Sequence, residues 1–283
     1  MTIALAGFSG FIGTKLRTEF NGYSFVLLER KDLYGKTELL AEKLKGVDIV
    51  INMAGYSISK RWTRKRKEKI LQSRIDLTRN LVAAVNSMNT KPRVFVNSSA
   101  IGVYEAGKIH TEKEYSYGTG FLADVVKDWE QAAKELSGEV KLIIVRLGLV
   151  LGTEGGALPK LLPLFKLGLG GAIGSGKQVY SFIHSKDVVD SIRFLIENEG
   201  EGVYNLCAPA PVSNLEFTRS IARAYRMPAV FRVPSFILKI MLGKASSIVT
   251  EGQTVYPKKL LDEGYKFTFA TIDEAILNLV NKQ

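Results

Sequence analysis

The chain has 283 residues, 46% of them hydrophobic and 24% charged, which is enough to bury a sizeable core and excludes a disordered chain. Its net charge is +11, but residues 1–150 hold 24 basic and 16 acidic side chains, and the stretch from Lys60 to Lys69 alone holds seven basic and one acidic; the excess is local, which excludes a general nucleic-acid coat. No run of about eighteen apolar residues occurs, the start Met-Thr-Ile-Ala-Leu-Ala-Gly carries no basic leader, and the single Cys207 suits a reducing compartment, so no membrane association, no export and a cytoplasmic location are expected.

Residues 2–6 form a short apolar run ending in Gly7-Phe-Ser-Gly10-Phe-Ile-Gly13, and a helical pattern follows through Phe20. Residues 23–28 are the next apolar run. A polar helix over about 37–44 leads to a third run, 47–52, rich in Val and Ile. Residues 67–87 show one apolar helical stripe through Ile70, Leu71, Ile75, Leu77, Leu81, Val82 and Val85. A strand is predicted over 94–97, a helix over 120–136 and a strand over 142–147. Continuous apolar strands alternating with helices predict a parallel sheet covered on both faces.

After Val150 the texture changes. Residues 151–176 are Gly-rich and read as a shaped loop. A helix over 182–198 with Asp187 as N-cap, a strand over 203–206 and a helix over 213–225 capped by Ser213 with Glu216 three residues on complete the pattern.

The glycine triplet at 7, 10 and 13 lies between the first strand and the first helix, where a pyrophosphate can meet the backbone and the free amides of the helix N-terminus. Gly7, Phe8, Ser9, Gly10, Phe11, Ile12 and Gly13 are therefore candidate cofactor contacts; a plain structural turn is the alternative. At the end of the second strand stand Glu29 and Arg30, followed by Lys31. An acid there favours NAD and an Arg favours NADP. The local balance is one acid to two bases, which favours NADP over NAD.

The motifs together resemble the atypical short-chain dehydrogenase/reductases known as epimerase family, or nucleoside-diphosphate-sugar epimerase-like, proteins. The residues carrying the likeness are the glycine triplet, Asn52-Met53-Ala54-Gly55, Arg61-Trp62-Thr63, Ser98-Ser99, Trp129-Glu130, Arg146-x-Gly148-x-Val150, the Gly168–Gly176 run and Ile183-His184-x-x-Asp187. The resemblance runs from Thr2 to about Leu279. It implies a doubly wound parallel-sheet Rossmann domain (1–150 with a return at about 178–208) and a smaller substrate domain (151–177 and 209–283). It further implies that Met53, Ala54 and Gly55 line the adenine side of the cofactor and that Ser98 and Val150 lie near it. Lys69 and Arg74 would reach its phosphates or ribose.

Short-chain reductases use a Tyr-x-x-x-Lys pair on the helix after the serine-bearing strand. Aligned on Trp129-Glu130, those positions fall on Phe121 or Leu122 and on Val125 or Val126, none of which moves a proton. The literal matches Tyr56/Lys60 and Tyr104/Lys108 lie in predicted loops and read as coincidences. Ser98, Ser99 and His110 are left as weak catalytic candidates, and Asp124, Glu112, Glu114 and His184 read more readily as structural or surface groups. No Cys/His cluster suggests a metal.

Three readings follow: an NAD(P)-dependent oxidoreductase or epimerase acting on an unknown small, possibly nucleotide-sugar-like, substrate; an NADP-binding sensor without turnover; and nucleic-acid binding through Lys60–Lys69 with Trp62 stacking on a base. The first is preferred, the last is least favoured, and the oligomeric state is left open.

Overall fold

The computed structural model describes residues 1–281. Six strands form one parallel sheet: β1 Thr2–Ala6, β2 Ser24–Leu28, β3 Ile49–Asn52, β4 Val94–Ala100, β5 Lys141–Leu147 and β6 Gly202–Leu206. Their spatial order is β2-β1-β3-β4-β5-β6. The chain steps outward from β1 to β2 and then crosses back to β3, so a topological switch point lies between β1 and β3. The register sets Ala6 beside both Leu28 and Asn52, and Asn52 beside Asn97, which brings the carboxyl ends of four strands to one edge.

Helices cover both faces, as continuous apolar strands require. On one face Ile3, Leu5, Ile51, Val96 and Val145 pack with α1 (Phe11–Glu19) and with Val188 and Ile192 of α7 (Ser185–Glu197). On the other, Ala4, Ala6, Val50 and Phe95 pack with α2 (Thr37–Lys43) and α4 (Ile75–Asn86). Between these in sequence lie α3 (Arg64–Gln72), α5 (Phe121–Lys134) and α6 (Leu158–Lys166). A separate apolar cluster joins α6, α8 (Asn214–Ala224) and α10 (Ile272–Asn281) through Leu158, Leu162, Phe217, Ile221 and Ile276. The capping box at Ser213 and Glu216 is present.

Three elements differ from the sequence expectation. The 67–87 stripe is two helices, because Ser73 donates its hydroxyl to the Ile70 carbonyl at 3.1 Å and accepts the Tyr56 N–H at 2.8 Å. Side-chain bonds to the backbone at that point compete with the helix ladder. Residues 151–176 are not all loop. Leu158, Leu162 and Phe165 share a buried stripe that makes α6, and Gly171–Ile173 pairs in parallel with Phe231–Val233. The flanking glycines masked that stripe. Finally, Phe182–His184 is a strand beside Leu149–Leu151, and His184, not Asp187, caps α7, its Nδ1 accepting the Lys186 N–H at 3.0 Å. The buried Asp187 carboxylate instead accepts the Thr268 and Phe269 N–H groups at 2.7 and 3.0 Å, tying α7 to the C-terminal segment. No helix is long and apolar enough to cross a membrane, among the described residues.

Candidate functional site

Gly7 leaves β1 with φ +79°, and a Cβ there would stand 2.6 Å from the Met53 carbonyl. At Gly13 a Cβ would stand 2.1 Å from the Gly7 carbonyl oxygen. Both positions therefore need glycine, so that the loop can fold under β3 and α1 can close on the loop. Gly10 differs: it caps α1 in an extended conformation, its Cβ would meet only the Gly7 oxygen at 3.2 Å, and it is exposed. The first turn of α1 has no side-chain cap and no acidic residue. Its N–H groups and partial positive charge thus face outward at the switch point, and the site fits a dinucleotide pyrophosphate. Phe11 turns the other way. Its ring occupies the space that side chains at Gly152 and Gly155 would fill, with would-be Cβ positions 2.3 and 2.6 Å from ring atoms. Val150 lies on the short strand leading into that loop.

At the end of β2 the Glu29 N–H donates to the Asp32 carboxylate at 2.7 Å, and the Glu29 carboxylate pairs with Lys31 at 3.0 Å. The pair is exposed and therefore weak. Arg30 is exposed, its guanidinium over the Tyr34 ring at 5.6 Å. The structure so places a cation at the strand end while the neighbouring acid is matched by Lys31.

Beyond β3, the buried Asn52 amide donates to Thr78 at 3.0 Å and Asn97 at 2.8 Å, and its oxygen accepts the Ala54 N–H at 3.2 Å. These bonds hold the Met53-Ala54-Gly55 turn beside the glycine loop. Arg74 lies beneath that turn. Its guanidinium donates to the Tyr56 carbonyl at 3.0 Å and stacks on Trp129 at 5.2 Å. A Cβ on Gly55 would stand 3.1 Å from it. Burial pulls the Arg74 pKa down to about 10. Lys69 is exposed, with its ammonium 5.7 Å from the Tyr56 ring centre.

The end of β4 carries the two serines on opposite faces. Ser98 alternates with Val94 and Val96, which pack on the α1 side. Ser99 faces α5 and donates to Glu130 at 2.5 Å. That glutamate is gripped by Arg146 of β5 through two bonds of 2.7 Å each, and Arg146 also donates to the Tyr104 hydroxyl at 2.7 Å. Tyr104 in turn donates to Asn205 at 2.7 Å. Burial pushes the Tyr104 pKa up to about 12. Burial also opposes the Arg146 charge, yet the Glu130 hydrogen bonds and charge hold its pKa above the usual value. Lys108 pairs with Glu105 instead of Tyr104, so the Tyr104/Lys108 match forms no dyad. His110 is buried against Tyr104, with Nε2 on the Glu105 carbonyl at 2.8 Å and Nδ1 accepting the Ser116 N–H at 3.4 Å. Both ring nitrogens serve the local fold. Glu112 accepts the Asn205 and Lys259 N–H groups, at 3.0 and 3.1 Å. Among the described residues no His/Cys/Asp/Glu group could hold a metal.

Phe121 begins α5 where a proton-transferring tyrosine would be sought. Its ring packs on Trp62 at 5.3 Å and under the Lys67 ammonium at 4.7 Å, while Val125 is buried. Trp62 also donates its indole N–H to the Ile58 carbonyl at 3.0 Å. Arg61 reaches the segment after α9 (Ser235–Leu242): its Nε is 3.3 Å from where a Gly243 Cβ would stand. A cavity of ≈ 280 Å³ is lined by Ile173, Gly174, Gln178, Ser235, Lys239 and Glu251, among others.

An anion cradle at the switch point of a doubly wound sheet defines a Rossmann-type dinucleotide-binding protein. The chain belongs to the NAD dependent epimerase/dehydratase family, which residues 3–207 match, while residues 233–279 match a domain of unknown function, DUF1731. It is 33% identical to the epimerase family protein YfhF of Bacillus subtilis, over 99% of this chain and 98% of that one. The human epimerase family protein SDR39U1 (isoform 2), solved with NADPH, matches over 100% of both chains with a TM-score of 0.93 and 30% identity. MoeE5, solved with UDP-glucuronic acid and NAD, shares the fold at a TM-score of 0.80 and 18% identity, over 99% of this chain and 98% of that one.

Two features escaped the sequence. One is the Glu130–Arg146–Tyr104–Asn205 network, for which the signal was a lone arginine inside an apolar strand. The other is the inward turn of the half-buried Arg74 onto the Tyr56 carbonyl and Trp129, for which no signal existed.

Proposed function

We propose that this protein binds NADPH in preference to NADH and acts as an oxidoreductase or epimerase on a small polar molecule held between residues 1–150 with 178–208 and residues 151–177 with 209–283. The open N-terminus of α1 between Gly7 and Gly13 carries this reading, supported by the NADPH of the human relative. In it the Gly7–Gly13 loop holds the pyrophosphate and Arg30 meets the 2′-phosphate. Met53, Ala54 and Gly55 flank the adenine, and Lys69 reaches the ribose or phosphates. Arg74 acts from below, holding the turn. When bound, the nicotinamide supplies a two-electron redox couple.

The chain's own contribution is orientation. Ser98 is the hydroxyl of β4 on the cofactor side, and Val150 closes the far wall. Phe121 and Val125 exclude water from the place where a tyrosine and lysine would exchange a proton. Tyr104, held neutral by its burial, donates its proton to Asn205 and not into the cleft. The polar walls of the cavity at Gln178, Ser235, Lys239 and Glu251 suit a ligand with hydroxyl and charged groups.

A second reading is favoured by the apolar Phe121 and Val125: a protein that reports the NADP(H) redox state without turnover. Incubation of the NADPH-loaded protein with a panel of carbonyl compounds, and of the NADP+-loaded protein with a panel of nucleotide sugars, separates the two. Loss of nicotinamide absorbance, or appearance of an epimer, supports the enzyme. Tight NADPH binding with no conversion of any compound supports the sensor.

A further inference from the structure

The face built by α6, the Gly171–Ile173 and Phe231–Val233 strand pair and α9 is apolar, basic and open. Helix α9 has no buried residue. Leu167, Val230, Phe231, Phe236, Ile240 and Met241 are exposed by between 50% (Phe231) and 74% (Val230). The segments that carry them are neighbours in space. Gly171 pairs with Phe231, a Cβ on Gly174 would lie 3.6 Å from Ser235, and one on Gly168 would lie 3.9 Å from the Met227 sulfur. Soluble monomers rarely leave that many large apolar groups together in water.

The charge around them is one-sided. Residues 155–178 and 226–250 contain Lys160, Lys166, Lys177, Arg226, Arg232, Lys239 and Lys244, and no Asp or Glu at all. Among the described residues none of these seven forms an ion pair. In sequence this is a second basic excess beside the one at Lys60–Lys69, whose Arg61 reaches Gly243 at the end of α9.

We propose that this face docks on an anionic lipid bilayer, with the α9 side chains Phe236, Ile240 and Met241 entering the interface and the flanking Arg and Lys residues meeting the headgroups. Apolar burial and attraction to anionic headgroups act together in such contacts. A second copy of the chain is the poorer occupant. A two-fold contact would set a predominantly cationic face against itself, with Glu251 the carboxylate that shares a cavity with Lys239. A nucleic acid would meet the charge but leave the exposed Phe, Ile and Met groups without a partner. Surface docking of this kind departs from the expectation of no membrane association and needs no helix long enough to cross a bilayer. The docking helix also lends Ser235 and Lys239 to the cavity of the enzymatic reading, but the proposal rests on other side chains, Phe236, Ile240 and Met241.

The test is co-sedimentation of the full chain with vesicles of phosphatidylcholine alone and of phosphatidylcholine with phosphatidylglycerol, three parts to one. The expected result is at least about tenfold stronger partitioning onto the anionic vesicles, weakened by salt. Phe236→Ser/Ile240→Ser should lower partitioning by about tenfold or more. Arg232→Glu/Lys244→Glu should remove the preference for anionic lipid. NADPH titration of each variant reports that its fold is intact. Equal partitioning on both vesicles, no partitioning, or unchanged partitioning of the variants overturns the proposal. So does a dimer that Phe236→Ser dissociates in the absence of vesicle binding, which assigns the face to a second copy.

Discussion

Arg146 holds Glu130 in a two-pronged grip, Nε to one carboxylate oxygen and Nη2 to the other, both at 2.7 Å and both out of reach of water. A buried pair of this kind adds little net stability over an apolar pair of the same volume, but losing one partner strands the other charge. Arg146→Met and Glu130→Met should each cost about 3–5 kcal/mol, and the double variant should cost less than either single one. Urea unfolding of the four proteins reads this directly. Additive losses in the double variant would mean that the two side chains do not act as a pair.

Tyr104 belongs to the same network, so its removal should be felt as stability and not as cofactor affinity. Tyr104→Phe leaves Arg146 and Asn205 each short of a partner and should cost about 1–3 kcal/mol. Tyr56→Phe should leave both stability and NADPH affinity close to the parent, because its hydroxyl is not used in the turn. Should either change lower a measured turnover a thousandfold, equivalent to about 4 kcal/mol of barrier, that tyrosine takes part in the chemistry.

Asp187 links α7 to the C-terminal segment through the Thr268 and Phe269 N–H groups. Asp187→Ala should orphan both and destabilise by about 2 kcal/mol or more. Amide exchange at residues 265–270 should rise with it. Unchanged protection there would show that the carboxylate is not what fastens the segment.

The sheet was legible because each of its strands is an apolar run bounded by turn residues, and burial on both faces leaves no other use for such runs. The glycine loop was legible because two of its glycines answer to backbone atoms only 2.1 and 2.6 Å from where a Cβ would be. The break at Ser73 and Arg74 was not, because it depends on where Tyr56 comes to lie. The helix inside 151–176 was hidden by glycines whose role is to fit Phe11 and Phe165, and those contacts exist only in three dimensions. The cap of α7 was misplaced by three residues, since an aspartate at a helix start looks the same whether it caps that helix or reaches across to another segment.

In the proposed function, cofactor choice rests on Arg30. In the proposed site its guanidinium leaves the Tyr34 ring for the 2′-phosphate. Arg30→Ala should weaken NADPH binding about tenfold and leave NADH binding nearly unchanged, as one lost charge-assisted contact would give. Titrations at a single ionic strength check it. An unchanged NADPH affinity would remove Arg30 from the site.

The central claim is that the uncapped N-terminus of α1 receives a dinucleotide, and Gly10→Asp tests it most directly. The substitution puts a carboxylate where the pyrophosphate is placed, at a position whose Cβ meets only the Gly7 oxygen at 3.2 Å and whose φ of −80° suits any residue. The measurement is a fluorescence titration of parent and variant with NADPH, beside thermal unfolding of both. The account predicts an unfolding midpoint near that of the parent and loss of NADPH binding by a hundredfold or more, about 3 kcal/mol. A variant that folds and binds NADPH as the parent does would contradict it.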